Sequence, residues 1–352
     1  MEYVGVDWSY GRAAFCCRRP GGAISEEGEV PADADGLAAL VSRIGDEVTA
    51  CVEMMSGAHW VCEQLEAAGW TVQAADARKA KTLAPLTAKT DRIDARVLAE
   101  LARRELVPAV WLPSIEDRAI REQLRRRMHL VRLRTSAKNR VFGVLSQWGV
   151  RVKFERLRRE DGIELLERRG VPEVWRDSVV EAIAVVDWLD SRISPLDREL
   201  APLAREDERA RLLATIPGIG PLLGLTFAVE IGDVARFATP RKLVGYSGLV
   251  PRVHQSGQQS RTKSLAKAGP RVLRWAAVEA AQGAWREDNP WHRLYRDVKV
   301  RSAGKGNPAK AAVARKVLIA AWHVLSRSEP FRAPDPRRES SVPESSLPSM
   351  AA

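Results

Sequence analysis

Tyr3 to Trp8 reads YVGVDW, an alternating apolar segment with an acid, Asp7, at its end just before Trp8, and its neighbours decide the fold. Alternation with a period of two specifies a strand. Ala13 to Cys17 reads as a second short strand after a turn containing Gly11, so the chain opens as a hairpin. Asp35 to Ile44 has helical periodicity, Val48 to Met54 (VTACVEM) is a buried apolar strand, Gly57 to Ala67 returns to helix, and Trp70 to Ala74 is another strand. Lys89 to Arg104 is helical, and the segment VPAVWLPS, with Pro108 and Pro113, is an extended linker.

An antiparallel opening followed by alternating strands and helices fits a mixed α/β sheet of the RNase H-like kind. Glu116 to Trp148 follows as a long helical stretch. Leu124, Met128, Val131 and Leu145 form its apolar stripe, and Arg125, Arg126, Arg127, Arg132, Arg134, Lys138 and Arg140 occupy the remaining surface. These seven cations are either a solvated helix face or a nucleic-acid contact. From Asp161 to Arg211, apolar positions such as Ile183, Val186, Leu189, Ile193, Leu196 and Leu200 predict a helical hairpin or coiled-coil arm. Pro172 breaks it early, and Pro195 and Pro202 limit its regularity. Such an arm commonly dimerises. The Pro/Ser-rich segment from Pro330 is expected to be disordered.

The expected organisation is therefore a catalytic domain over residues 1–157 with a basic helical extension, an arm over 158–210, a mainly α domain over 211–329 and a tail over 330–352. Charge is distributed unevenly along it. The net charge is +11 and the pI about 9.8, yet Met1 to Pro113 holds 12 basic against 17 acidic residues and the remainder 44 against 28. A cationic region of this size favours a polyphosphate partner through counterion release. No run of about eighteen apolar residues points to a membrane span. The four cysteines (Cys16, Cys17, Cys51, Cys62) have no zinc-ligand spacing, and the N-terminus does not resemble a secretory signal, so a cytoplasmic protein with reduced thiols is expected.

Asp7 and Glu53 end two strands that can neighbour each other in one sheet. KTDRIDA places Asp91 and Asp94 three residues apart, on one face of a helix. Four converging carboxylates would raise one another's pKa unless divalent cations bind, and Mg²⁺ suits such oxygen donors. Two such ions would stabilise the attacking and leaving oxygens of a phosphoryl transfer. Taken singly, each acid could equally be a surface residue or a helix cap.

In the C-terminal half, Ile216-Pro217-Gly218-Ile219-Gly220 has the form of a helix-hairpin-helix turn, in which Gly218 and Gly220 would let backbone N–H groups face a phosphate. A plain helix–helix connection has the same local grammar. Tyr246 to Arg274 (YSGLVPRVHQSGQQSRTKSLAKAGPRVLR) reads as a polar, Gly-containing loop whose Arg252, Arg261, Lys263, Lys267, Arg271 and Arg274 could neutralise phosphates. Ser256 within it reads, on its own, as a hydrogen-bonding loop residue.

Together, GVDWS, CVEMMSG, KTDRIDA, LVPAVWLPS, IPGIGPLLGLTFAVEIGDVARF, YSGLVPRVHQSG, KAGPRVLR and AKAAVARKVL resemble the DEDD transposases of bacterial insertion sequences, the bridge-RNA-guided recombinases. The resemblance spans nearly the whole ordered chain. It implies a RuvC-like domain with Asp7, Glu53, Asp91 and Asp94 as metal-binding acids, and a C-terminal transposase domain with Ser256 as nucleophile. It further implies a phosphoserine link to DNA, Mg²⁺ held by the acids of a partner subunit, and strand exchange through a junction. A structured non-coding RNA would choose donor and target DNA. A homodimer or homotetramer acting at the bacterial nucleoid follows from the same picture. Two features depart from it: Gln255 stands where relatives often carry a second serine, with Ser247, Ser260 and Ser264 nearby, and the loop after Ser256 is less glycine-rich than usual. The alternatives are a junction-resolvase-like nuclease that uses metal-activated water and a non-catalytic nucleic-acid-binding protein.

Overall fold

A computed structural model describes residues 1–55, 57–83, 90–256 and 259–333, except the side chains of residues 81 and 252–264. The chain forms two compact units, Met1–Leu112 and Pro113 onward.

The first unit contains β1 (Glu2–Trp8), β2 (Arg12–Arg18), β3 (Ile24–Pro31), α1 (Ala34–Ile44), β4 (Val48–Glu53), α2 (Ala58–Ala67), β5 (Thr71–Ala75), α3 (Ala77–Leu83) and α4 (Asp91–Arg103). The sheet order is β3-β2-β1-β4-β5, antiparallel through β3, β2 and β1 and parallel from β1 to β4 and β5. This topology is compatible with the expected RNase H-like domain. Both faces of the sheet are covered, and the alternation within β1 assigns each residue to a face. Val4, Val6 and Trp8 join Phe15, Ala50 and Val52 in a core with Leu37 and Leu40 of α1 and Val61 and Leu65 of α2. On the opposite face, Ala14 and Cys16 meet Ala95 and Ala99 of α4, and Cys51 meets Leu98 and Ala102.

The edge strand β3 carries no strand signal in its apolar pattern. Its sequence, ISEEGEVP, buries only Val30 and so carries no apolar alternation. Its acids alternate instead. Glu26 pairs with Arg43 of α1 on one side of the sheet, and Glu27 pairs with Arg96 of α4 on the other.

The second unit contains α5 (Ile115–Gln147), α6 (Phe154–Leu157), α7 (Gly162–Arg168), α8 (Glu173–Glu206), α9 (Glu208–Leu213), α10 (Pro221–Ile231), α11 (Pro240–Ser247), the hairpin β6 (Pro251–Ser256) and β7 (Gln259–Leu265), α12 (Arg271–Ala280), α13 (His292–Arg301) and α14 (Gly306–Arg327). The helix α5, expected to extend the first domain, packs along α8 within this unit. Arg127 pairs with Asp197, Arg134 with Asp190 and Arg140 with Ser178, so the two helices run antiparallel.

The expected arm differs from a hairpin formed within residues 158–210. A single helix of 34 residues continues through Pro195 and Pro202, and the helix it packs along is α5. The apolar positions Val186, Leu189, Ile193, Leu196 and Leu200 are all buried, which offsets the hydrogen bonds that the two prolines remove. A larger core joins α9 through α14, with Phe227, Leu273 and Val317 fully buried. Within the segment expected to be a tail, the Phe331 ring lies tilted against Trp291 with centroids 5.6 Å apart, and its N–H donates to the Thr215 hydroxyl (2.8 Å). Residues 334–352 of the expected tail lie outside the described residues.

Candidate metal centre

Parallel pairing of β1 with β4 carries Asp7 and Glu53 to the same end of the sheet, because Asp7 is the penultimate residue of β1 and Glu53 the last of β4. Asp7, an odd-numbered residue of β1, shares with Gly5 the face that α4 covers. The small residues beneath α4 let it lie close to the strands. A Cβ built on Gly5 would stand 2.0 Å from the Ala95 carbonyl oxygen and 2.4 Å from the Ala99 nitrogen, so only glycine permits this approach. A glycine inside a strand is a sequence signal for close backbone approach, and it could have marked this position.

The first turn of α4 supplies the third acid. The Thr90 hydroxyl caps the helix by accepting the Ile93 N–H (3.3 Å), and the helix N-terminus favours the negative charges of Asp91 and Asp94. Carboxylate oxygens of Asp7, Glu53 and Asp94 lie within 4.8 Å of one another, and all three side chains are half-buried. Asp91 is exposed at the first helical position and is not among these three. It stands one turn before Asp94, about 4.5 Å along the helix axis.

Three hard oxygen donors from three separate elements match the ligand chemistry of a divalent cation such as Mg²⁺. The thiols on this face are poor competitors as ligands, because burial raises Cys51, next to Glu53, to about 12 and keeps it protonated. Two pairings that the sequence reading missed fix α4 over the sheet. Arg96 makes a bidentate contact with Glu27 (2.7 and 2.7 Å), and Arg92 lies 3.5 Å from Glu29, which also binds Arg12.

The basic residues of the second unit divide by what they touch. Arg127 and Arg134 are spent on Asp197 and Asp190 of α8, Arg125 lies 2.8 Å from Glu230, and Lys138 sits over the Phe154 ring. Arg126 and Arg132 are exposed. Of the cations near the β6–β7 hairpin, Lys267 and Arg271 are exposed, whereas Arg274 donates to the Ser247 carbonyl (2.9 Å) and braces the hairpin stem. Ser256 ends β6, so the stretch expected to be a loop is a two-stranded ribbon. The side chains of Ser256, Arg252, Arg261 and Lys263 lie outside the described residues. Gly218 has an internal reason to be glycine: its φ is 88°, and a Cβ would stand 2.1 Å from the Ala280 carbonyl oxygen. Gly220, exposed, precedes α10 with open space around it.

The acids therefore form a carboxylate centre in the first unit, followed by a basic helical unit. Residues 4–149 match the family model for DEDD transposases of the IS110 type, and residues 210–296 match the model described as the transposase IS116/IS110/IS902 family. The chain belongs to this transposase family. Similar proteins include a probable family 20 transposase of Pseudomonas aeruginosa, 28% identical over 80% of this chain and 85% of that protein. The transposase for insertion sequence element IS1111A of Coxiella burnetii is 29% identical over 69% of this chain and 68% of its own length. A pilin gene-inverting protein of Moraxella bovis is 33% identical over 41% of this chain and 46% of that protein. The transposase is thus a DNA recombination enzyme. Among its described residues, no helix is long and apolar enough to cross a membrane.

Proposed function

We propose that this transposase cleaves and exchanges DNA strands with Asp7, Glu53 and Asp94 holding Mg²⁺, with Asp91 as an outer fourth acid, and with Ser256 as nucleophile. The convergence of three carboxylates within 4.8 Å carries the reading. Bound there, the ion would supply electrostatic stabilisation of the charge that develops on the phosphoryl oxygens. The three carboxylates would fix its place at the sheet edge, and α4 would hold Asp94 in register with the two strand-borne acids.

In the proposed step, the Ser256 oxygen bonds to a phosphodiester phosphorus while the P–O bond to one deoxyribose breaks. The serine proton and the released sugar oxygen leave a free hydroxyl, and the phosphate stays linked to the serine. Ser256 is the last residue of β6, in a stretch of sequence rich in Arg and Lys, and this supports the role, as does the resemblance of YSGLVPRVHQSG to the DEDD transposases. A structured RNA would choose donor and target DNA, and the α5–α8 pair would serve as a coiled-coil arm of a homodimer or homotetramer. The turn Ile216 to Gly220 would grip DNA backbone in helix-hairpin-helix fashion.

A recombination assay with donor DNA, target DNA and guide RNA, resolved under denaturing conditions, tests the chemistry. A DNA–protein adduct should form with the native protein and disappear with Ser256→Ala, while Asp7→Ala, Glu53→Ala and Asp94→Ala should abolish cleavage. Normal cleavage by Ser256→Ala without an adduct would replace this reading by a water-using, resolvase-like nuclease.

A further inference from the structure

At the far end of the α5–α8 pair, where α5 ends and the chain turns into α6, the second unit carries a cleft of about 980 Å³. One wall is the last turns of α5, and the other is the segment from Gly149 to Glu155. Its floor is aromatic. Phe142 is 45% exposed and tilts against the buried Phe154 at 6.4 Å, and Lys138 stands over the Phe154 ring at 4.8 Å. Its rim is cationic, with Arg151 and Lys153 exposed and Glu155 the one acid that lines it.

We propose that this cleft binds an unpaired stretch of the transposase's DNA substrate, with a base stacked on Phe142 and phosphates held by Arg151, Lys153 and Lys138. A half-exposed phenylalanine offers a π-face that any base can stack on, and the flanking cations follow a phosphodiester chain. Duplex DNA keeps its base faces inside the stack, so the ring selects for unpaired strands. Recombination supplies such strands each time a duplex is opened for exchange. The inference rests on DNA as the substrate and not on the serine chemistry, so either can fail without the other.

The test is fluorescence anisotropy of the full chain with labelled dodecathymidylate, with its duplex with dodecaadenylate, and with oligouridylate of the same length, across a salt series. Phe142→Ala should weaken dodecathymidylate binding by about tenfold and leave duplex binding unchanged, while Phe142→Trp, which keeps a stacking face, should stay within about twofold of native. The double variant Arg151→Gln/Lys153→Gln, at two exposed positions, should reduce the log–log salt slope by about 1.4. Three outcomes would overturn the proposal: no change in dodecathymidylate affinity in any variant, an equal loss for duplex, or a variant-sensitive preference of more than about tenfold for oligouridylate. Equal competition by an oligoglutamate would also overturn it, since charge alone would then account for binding.

Discussion

Gly5 of β1 faces Ala95 of α4 so closely that a Cβ would lie 2.0 Å from the Ala95 carbonyl oxygen. One residue before Ala95 on the same helix, Asp94 meets the carboxylates of Asp7 and Glu53. The seating of α4 on the sheet and the assembly of the carboxylate centre are therefore one packing event. Gly5→Ala should lower stability by about 1–3 kcal/mol, the usual cost of overpacking a core. Because the clash is with backbone, α4 must shift, and manganese binding followed by electron paramagnetic resonance should weaken by more than about tenfold. A variant that loses stability yet binds manganese normally would separate the two effects.

The two acids of α4 should differ. Asp94→Asn removes one of three convergent oxygen donors, so strand cleavage should fall by at least about a hundredfold and the Mg²⁺ requirement should rise. Asp91→Asn, at the exposed first position of the helix, should cost less than about tenfold under the same conditions. Mg²⁺ titrations of cleavage rate for the two variants check the order, and a larger loss at Asp91 would show that DNA binding draws it into the centre.

Acid stability should report on Glu100. Hydrogen bonds from Arg103, and next from Arg104, hold its carboxyl at about 2, well below its ordinary value of 4.5. A carboxyl with a depressed folded-state pKa contributes stability that is fully present above 4.5 and is lost as pH falls toward about 2. Glu27, held low first by its hydrogen bonds from Arg96, acts in the same direction. Glu100→Gln should flatten the urea-unfolding midpoint between pH 4.5 and about 2, and leave the shape of the profile above pH 5 unchanged. An unaltered acid limb would show that the pair contributes nothing measurable, as many exposed ion pairs do.

The four cysteines should resist labelling in the native state. All are buried, and burial raises Cys17 and Cys51 to about 12 and Cys62 to about 11, so the reactive thiolate is scarce at pH 8. A thiol-disulfide reagent at pH 8 should label the folded protein at least about a hundredfold more slowly than the protein in guanidinium. Rapid labelling of one thiol in the native state would mean that the sheet opens locally.

Local pattern carried the first unit a long way. The alternation of YVGVDW defined β1, the apolar run before Glu53 defined β4, and the spacing of KTDRIDA put two acids on one helix. These are short-range signals, set by residue type within one element, and the ordered set of motifs pointed to the transposase family. What the strands and helices do to each other needed the tertiary structure. The edge strand β3 is legible only through arginines on α1 and α4, and α8 runs unbroken through Pro195 and Pro202 because its apolar face is buried along α5. The same holds for the cations of α5, three of which neutralise acids of α8 and α10. It holds most of all for the four acids: spacing placed Asp91 and Asp94 on one face, but the depth at which Gly5 lets α4 settle brings Asp94, and not Asp91, to Asp7 and Glu53.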